Sequence, residues 1–163
     1  GRYYSSRILR AITAMKPYGG LRAILWHQGE SDSKVGTTTA AYADDLNSII
    51  AQSRADAGFT VPWGVALASW IPGSTESNQA MVIAGQQRVI SNTTGVFKGA
   101  ETDTIHTLGW NYRGGVHFND SGLRDHGRQL VNAVFSALLV SHDNEKDFVP
   151  RAEPGMDLRT RKR

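Results

Sequence analysis

The chain has 163 residues and a mass of 17.8 kDa, the size of one ordinary domain. Hydrophobic residues make up 40%, charged residues 20%, and the net charge is +3, which excludes a disordered, collagenous or membrane-embedded chain. The absence of cysteine excludes disulfides, thiolate zinc sites and a cysteine nucleophile. No segment is typical of a membrane span or a signal peptide, so we expect no membrane partner.

The positive charge is concentrated at the C-terminus. The pI is near 9.4, but residues 159–163 carry four positive charges, and taking four from +3 leaves −1 for the rest of the chain. No basic stripe is evident elsewhere, so we expect no nucleic-acid partner. The sequence predicts one domain over residues 1–140, followed by a polar, basic tail over residues 141–163.

Apolar spacing predicts four helices. The first begins almost at residue 1 and ends before Pro17. The second begins at a threonine cap within residues 37–39 and ends at Gly58, and the third covers about residues 77–90. The last is capped by Asn119 or Asp120. We expect its inward face to hold Leu123, Gly127, Leu130, Val131, Val134 and Leu138.

Short apolar runs between these helices predict strands. They lie at residues 21–27, at about residues 61–70 and, more briefly, at residues 95–97. We expect loops at residues 32–36 and, with several glycines, at residues 99–119. Alternating strands and helices of this length predict an α/β fold with a parallel sheet covered on both faces.

Two segments concentrate polar side chains that can do chemistry. The first, residues 26–32, reads Trp-His-Gln-Gly-Glu-Ser-Asp directly after a predicted strand, and the second, residues 114–120, includes His117 on a loop before a helix. Parallel sheets place their sites beyond the carboxyl ends of strands. A histidine there can act as general base and then as general acid.

The other histidines give weaker indications of function. His27 and Glu30 are three residues apart, but no second histidine has the spacing of a zinc motif, so we expect no metal. His106, His126 and His142 are read as structural.

The two motifs, with the Gln86-Gln87 helix between them, resemble the SGNH (GDSL-type) hydrolase superfamily. Within it they are similar to the sialate O-acetylesterase-like branch, which includes acetyl xylan esterases of carbohydrate esterase family six. The resemblance covers about residues 3–140. It implies a three-layer, flavodoxin-like α/β/α sandwich of which this chain supplies the C-terminal portion, apparently without the N-terminal strands.

The resemblance also assigns site residues. It implies that His117 is the catalytic histidine, that Gln28 donates to the oxyanion and that Glu30 either orients the histidine or anchors its own loop. Gly29 belongs to the same block and is expected at the substrate. Trp110 and Tyr112, which flank the histidine loop, can stack on a sugar ring or pack in the core.

Three departures qualify this transfer. The family's nucleophilic serine block and its glycine block are not seen in the chain, and Ser31 is a poor substitute because it belongs to the loop motif and lacks the second glycine of a nucleophile elbow. The family's aspartate three residues before the histidine is replaced by Gly114. Glu30 is then the leading acid, ahead of Asp103 and of Asp120, which helix capping already explains.

The resemblance implies hydrolysis of O-acetyl esters on a carbohydrate through a serine acyl-enzyme, with no cofactor and a secreted or periplasmic location. The nucleophile is expected from outside this chain, and the edge at residues 21–27 is expected to pair with an upstream segment or a second chain. The alternative is a non-catalytic carbohydrate-binding or structural remnant.

Overall fold

A computed structural model describes residues 2–106 and 117–139, with side chains described for residues 7–105 and 117–137. Strands and helices alternate over these ranges, as predicted. The helices are α1 (Arg2–Met15), α2 (Glu30–Val35), α3 (Thr39–Ala57), α4 (Glu76–Asn92), α5 (Thr102–His106) and α6 (Asp120–Leu139). The strands are β1 (Ile24–Trp26), β2 (Trp63–Leu67) and β3 (Val96–Glu101).

The three strands form one parallel sheet in the order β1-β2-β3. Trp63, in the central strand, is level with Ile24 on one side and with Val96 on the other. Within the described part of the chain, β1 and β3 are therefore the edge strands. The parallel α/β architecture confirms the predicted fold class.

One face of the sheet is covered by α3 and α4, and α1 packs against α3. Trp63 is fully buried there, its ring centre lies 5.8 Å from that of Trp26, and its indole N–H donates to Ser53 Oγ at 3.1 Å. The buried core on this face consists of Tyr42, Ala43, Leu46, Ile50, Val61, Trp63, Val65, Val82 and Val89.

The opposite face is covered only in part. A Cβ on Gly64 would lie 2.7 Å from the Phe97 ring and 2.9 Å from Leu25, so the absence of a side chain leaves room for both residues above β2. Helix α6 packs against β3 on the far edge. Leu25, on the β1 edge, remains 45% exposed.

Local signals located the helix ends correctly. Thr38 caps α3 by accepting from the Ala41 N–H at 3.3 Å, and Gly58 ends that helix with φ +81°. Asn119 is the cap of α6, because its side-chain oxygen accepts from the Ser121 and Gly122 N–H groups, both at 3.0 Å. No described helix is long and apolar enough to cross a membrane.

The prediction of a loop at residues 32–36 was wrong, since most of that segment forms α2. Glu30 and Asp32 lie in its first turn, where negative charge is favourable, and Gly36 ends it in the left-handed conformation with φ +77°. Residues 99–106 were also predicted as loop but complete β3 and form α5. Strand β1 spans only three of the seven residues expected.

The predicted inward face of α6 was wrong in part. Leu123 and Val131 are 55% and 53% exposed and Gly127 is exposed as well, because the helix contacts the sheet through a different face. Gln129 lies on that face, and its side-chain oxygen accepts from the Glu101 N–H at 2.7 Å. A polar contact to the end of β3 thus takes a position that a purely apolar stripe would have filled. The Leu138 side chain lies outside the described residues.

Candidate active site

The polar segment after β1 is pressed against the end of β2. A Cβ on Gly29 would lie 1.9 Å from the carbonyl oxygen of Ala68 and 2.6 Å from the Gln86 amide nitrogen. Its φ of +155° also disfavours a side chain. Close approach of the two strand ends therefore explains the glycine, and contact of Gly29 with substrate stays a prediction.

Gln86 ties these strand ends together. It is fully buried on α4, its side-chain oxygen accepts from the Ala68 N–H at 3.1 Å, and its Nε2 donates to the Ala68 carbonyl at 2.8 Å and the Gln28 carbonyl at 3.0 Å. The Tyr42 hydroxyl donates to the same Gln28 carbonyl at 2.8 Å. In the sequence, Gln86 stands out only as part of the family resemblance. Its role could have been predicted from its position on the buried face of a helix, because a buried amide needs polar partners.

The side chain of Gln28 is held as well. Its Nε2 donates to Asp32 Oδ2, and the Thr37 hydroxyl donates to Asp32 Oδ1 at 2.7 Å. Gln28 also lines a cavity of about 260 Å³ between β1 and α3, together with Trp26, Asp32, Tyr42, Asp45, Leu46 and Ile49. Neither His117 nor Glu30 is part of this lining.

Glu30 is paired with His27, whose Nε2 lies 3.1 Å from Glu30 Oε1. Burial acts to raise the pKa of Glu30, but the hydrogen bond from His27, the backbone N–H groups at the start of α2 and the charge of His27 together hold this pKa below its ordinary value. Glu30 is therefore ionised at neutral pH. Among the described residues it makes no hydrogen bond or ion pair with His117.

Two rings contact His27. The Phe118 ring stacks on it with centres 6.3 Å apart, and the His126 ring meets it edge-on at 4.9 Å. Burial and the nearby charge of His27 lower the pKa of His126, whose buried Nε2 has no partner among the described residues. This position of His126 was not predicted, because only the packing of α6 brings the ring to the end of β1.

His117 directly precedes Phe118 and is exposed. Phe118 stacks on His27, so the chain at residue 117 lies at the same edge of the sheet as Gln28 and Glu30. This arrangement presents the imidazole to solvent at the end of β1. The pairing of His117 with Gln28 and Glu30 in one catalytic constellation stays a prediction.

The two other candidate acids have different surroundings. Asp103 accepts from the Ser69 N–H and the Trp70 N–H, both at 3.0 Å, and from the Ser69 hydroxyl at 2.6 Å. Its carboxylate therefore organises the turn after β2. Asp120 is exposed in the first turn of α6.

The serines at this edge also differ in accessibility. Ser33 and Ser69 are buried, and their hydroxyls donate to other groups, Ser33 to the Ser69 and Glu30 carbonyls and Ser69 to Asp103. Ser31 is exposed on α2. Of the remaining predicted site residues, Trp110, Tyr112 and Gly114 lie outside the described residues. No group of three His, Asp or Glu side chains in residues 7–105 and 117–137 has the arrangement of a metal site.

A three-stranded parallel sheet that alternates with helices is consistent with the fold of an α/β sandwich hydrolase. Residues 1–136 match the family described as SASA, carbohydrate esterase, sialic acid-specific acetylesterase. The chain belongs to this carbohydrate esterase family. No curated protein and no solved structure matches the chain.

Proposed function

We propose that the chain provides the general base and the oxyanion donor of a carbohydrate O-acetylesterase that works through a serine acyl-enzyme. The observation that carries this proposal is the family match over residues 1–136. It is supported by the position of Gln28, Glu30 and the chain at His117 along one edge of the sheet.

In the proposed reaction a serine hydroxyl attacks the carbonyl carbon of an acetyl ester while His117 takes its proton. A side-chain N–H of Gln28 stabilises the negative oxygen of the tetrahedral intermediate. The intermediate collapses, the sugar hydroxyl leaves with the proton held by His117, and the acetyl group stays on the serine. Water, deprotonated by His117, then releases acetate and restores the serine.

Glu30 contributes charge to this edge. Because its pKa is lowered, it is a carboxylate at neutral pH and stabilises an imidazolium nearby. Its described partner is His27, so we assign it electrostatic support and anchoring of the loop ahead of direct orientation of His117.

The nucleophile is proposed to come from outside this sequence. The exposed serine of the first motif, Ser31, lies on a helix and not on a strand-to-helix elbow, whereas Ser33 and Ser69 are buried and engaged. Strand β1 has an open edge among the described residues, and Leu25 on it is 45% exposed. A strand that pairs with β1 would end beside Gln28, where a serine would face the proposed oxyanion donor.

The alternative function is a non-catalytic carbohydrate-binding module. One observation favours it: the carboxylates of Glu30 and Asp103 are bonded to His27 and to the turn at Ser69, and neither is bonded to His117. Such a module would bind acetylated sugars without releasing acetate.

Hydrolysis of p-nitrophenyl acetate, compared between the isolated chain and its native assembly, separates these possibilities. We expect weak turnover without the external serine, because members of a triad act as a unit. Robust turnover that His117→Ala abolishes would place the nucleophile within this sequence and contradict the proposed division. Saturable binding of an acetylated oligosaccharide without acetate release, in the chain and in its native assembly, would support the alternative.

A further inference from the structure

We infer that Asp32 is the positioning residue of the Gln28 amide, turning its nitrogen rather than its oxygen toward a carboxylate and leaving one N–H available as a donor. The inference rests on the proposed function, in which that N–H meets the oxyanion. It extends the function to a residue that does not itself touch the reacting atoms.

A carboxylate selects one end of an amide. An ionised aspartate only accepts hydrogen bonds, so Asp32 fixes the amide of Gln28 with its nitrogen inward. Asp32 is itself restrained, because the Thr37 hydroxyl donates to its other oxygen at 2.7 Å. Its place in the first turn of α2 adds favourable interaction with the helix dipole.

The backbone of Gln28 is fixed independently of this contact. Its carbonyl accepts from Tyr42 and from Gln86. Of the two side-chain N–H groups, one is bonded to Asp32, and the second has no partner among the described residues. A donor held in place before substrate arrives requires no reorganisation when charge develops, which is the requirement of an oxyanion hole.

The charge of Asp32 does not assist the proposed reaction, since a carboxylate next to an oxyanion donor opposes the developing negative charge. Asp32 therefore acts by orienting the Gln28 amide, and two substitutions of Asp32 should differ in their effect. Asparagine at residue 32 can still accept from Gln28 through its oxygen while its amide donates to Thr37. Alanine removes both contacts.

The direct test is the side-chain NH₂ signal of Gln28 in ¹⁵N-labelled chain, assigned by its loss in Gln28→Ala. In the native chain and in Asp32→Asn we expect the two NH₂ protons to have unequal chemical shifts and to exchange slowly. In Asp32→Ala we expect their shifts and exchange rates to approach those of a free amide. Asp45→Ala is the matched control, because Asp45 lines the same cavity without bonding to Gln28. If Asp32→Ala fails to fold, Thr37→Val provides a milder test, because it removes only the hydrogen bond that restrains Asp32. An NH₂ signal that neither Asp32→Ala nor Thr37→Val changes would overturn the inference.

Kinetics of a preparation that hydrolyses acetyl esters supply the second readout. We expect Asp32→Ala to lower kcat about tenfold with KM unchanged, less than the roughly 100-fold cost of removing an oxyanion donor. Asp32→Asn should restore kcat, and Asp32→Ala should have no effect in a Gln28→Ala background. If Asp32→Ala frees the Gln28 NH₂ group but leaves kcat unchanged, the proposed effect of Asp32 on catalysis is wrong. Absence of turnover in every preparation would contradict the proposed function, while the NMR result would still decide the positioning.

Discussion

Replacing Gln86 by leucine removes the side chain that joins the ends of β1 and β2. The Ala68 N–H and carbonyl lose the partners that Gln86 supplies, while the Gln28 carbonyl keeps the Tyr42 hydroxyl. A buried polar group left without a partner costs about 1–3 kcal/mol, so two such groups at a fully buried position should lower the free energy of unfolding by about 3 kcal/mol. For a chain of this size that corresponds to a fall in Tm of about 10 °C.

Urea unfolding followed by circular dichroism measures this cost. The matched control is Gln87→Leu, one residue further along α4, where the side chain is exposed and a change within about 0.5 kcal/mol is expected. Equal unfolding free energies for the Gln86→Leu and Gln87→Leu variants would refute the account of how the strand ends are joined.

Three further predictions concern single residues. Gly29→Ala should destabilise the fold by more than about 3 kcal/mol, because the added Cβ would clash with the Ala68 carbonyl. Gly127→Ala, where the added Cβ meets open space, should instead stabilise α6 by about 0.5–1 kcal/mol. Thermal unfolding of both variants checks these opposite signs. Ser53→Ala leaves the buried Trp63 indole N–H without an acceptor and should cost about 1–3 kcal/mol in urea unfolding. Burial lowers the pKa of His126, so as pH falls the unfolded chain takes up this proton before the folded chain does. The contribution of His126 to the free energy of unfolding is therefore complete above about pH 6.5 and is lost as pH falls below that value. His126→Phe should flatten this part of the dependence of stability on pH, and an unchanged profile would contradict the burial of the ring.

The parts of the fold that depend on local sequence were predictable. The helices capped by Thr38 and Asn119 and the helix end at Gly58 were found because capping residues act on backbone groups only a few residues away. Apolar runs located all three strands, but β1 and β2 are shorter than predicted and β3 is longer.

The contacts that shape the site could not be predicted, because they join residues distant in sequence. The need for glycine at residue 29 arises from Ala68, and the role of Gln86 arises from two strand ends on either side of it in the fold. The pairing of His27 with Glu30 joins residues only three apart and was missed for a different reason, because the start of α2 at Glu30 was not predicted.

The proposed division of the active site is tested most directly by covalent labelling. The isolated chain and its native assembly, each with His117 intact or changed to alanine, are treated with a serine-directed fluorophosphonate, and labelled peptides are located by mass spectrometry while acetate release is recorded. We expect a labelled serine outside residues 1–163, present only in the native assembly, with both labelling and acetate release strongly reduced by His117→Ala. A labelled serine within these residues, or acetate release that does not depend on His117, would contradict it.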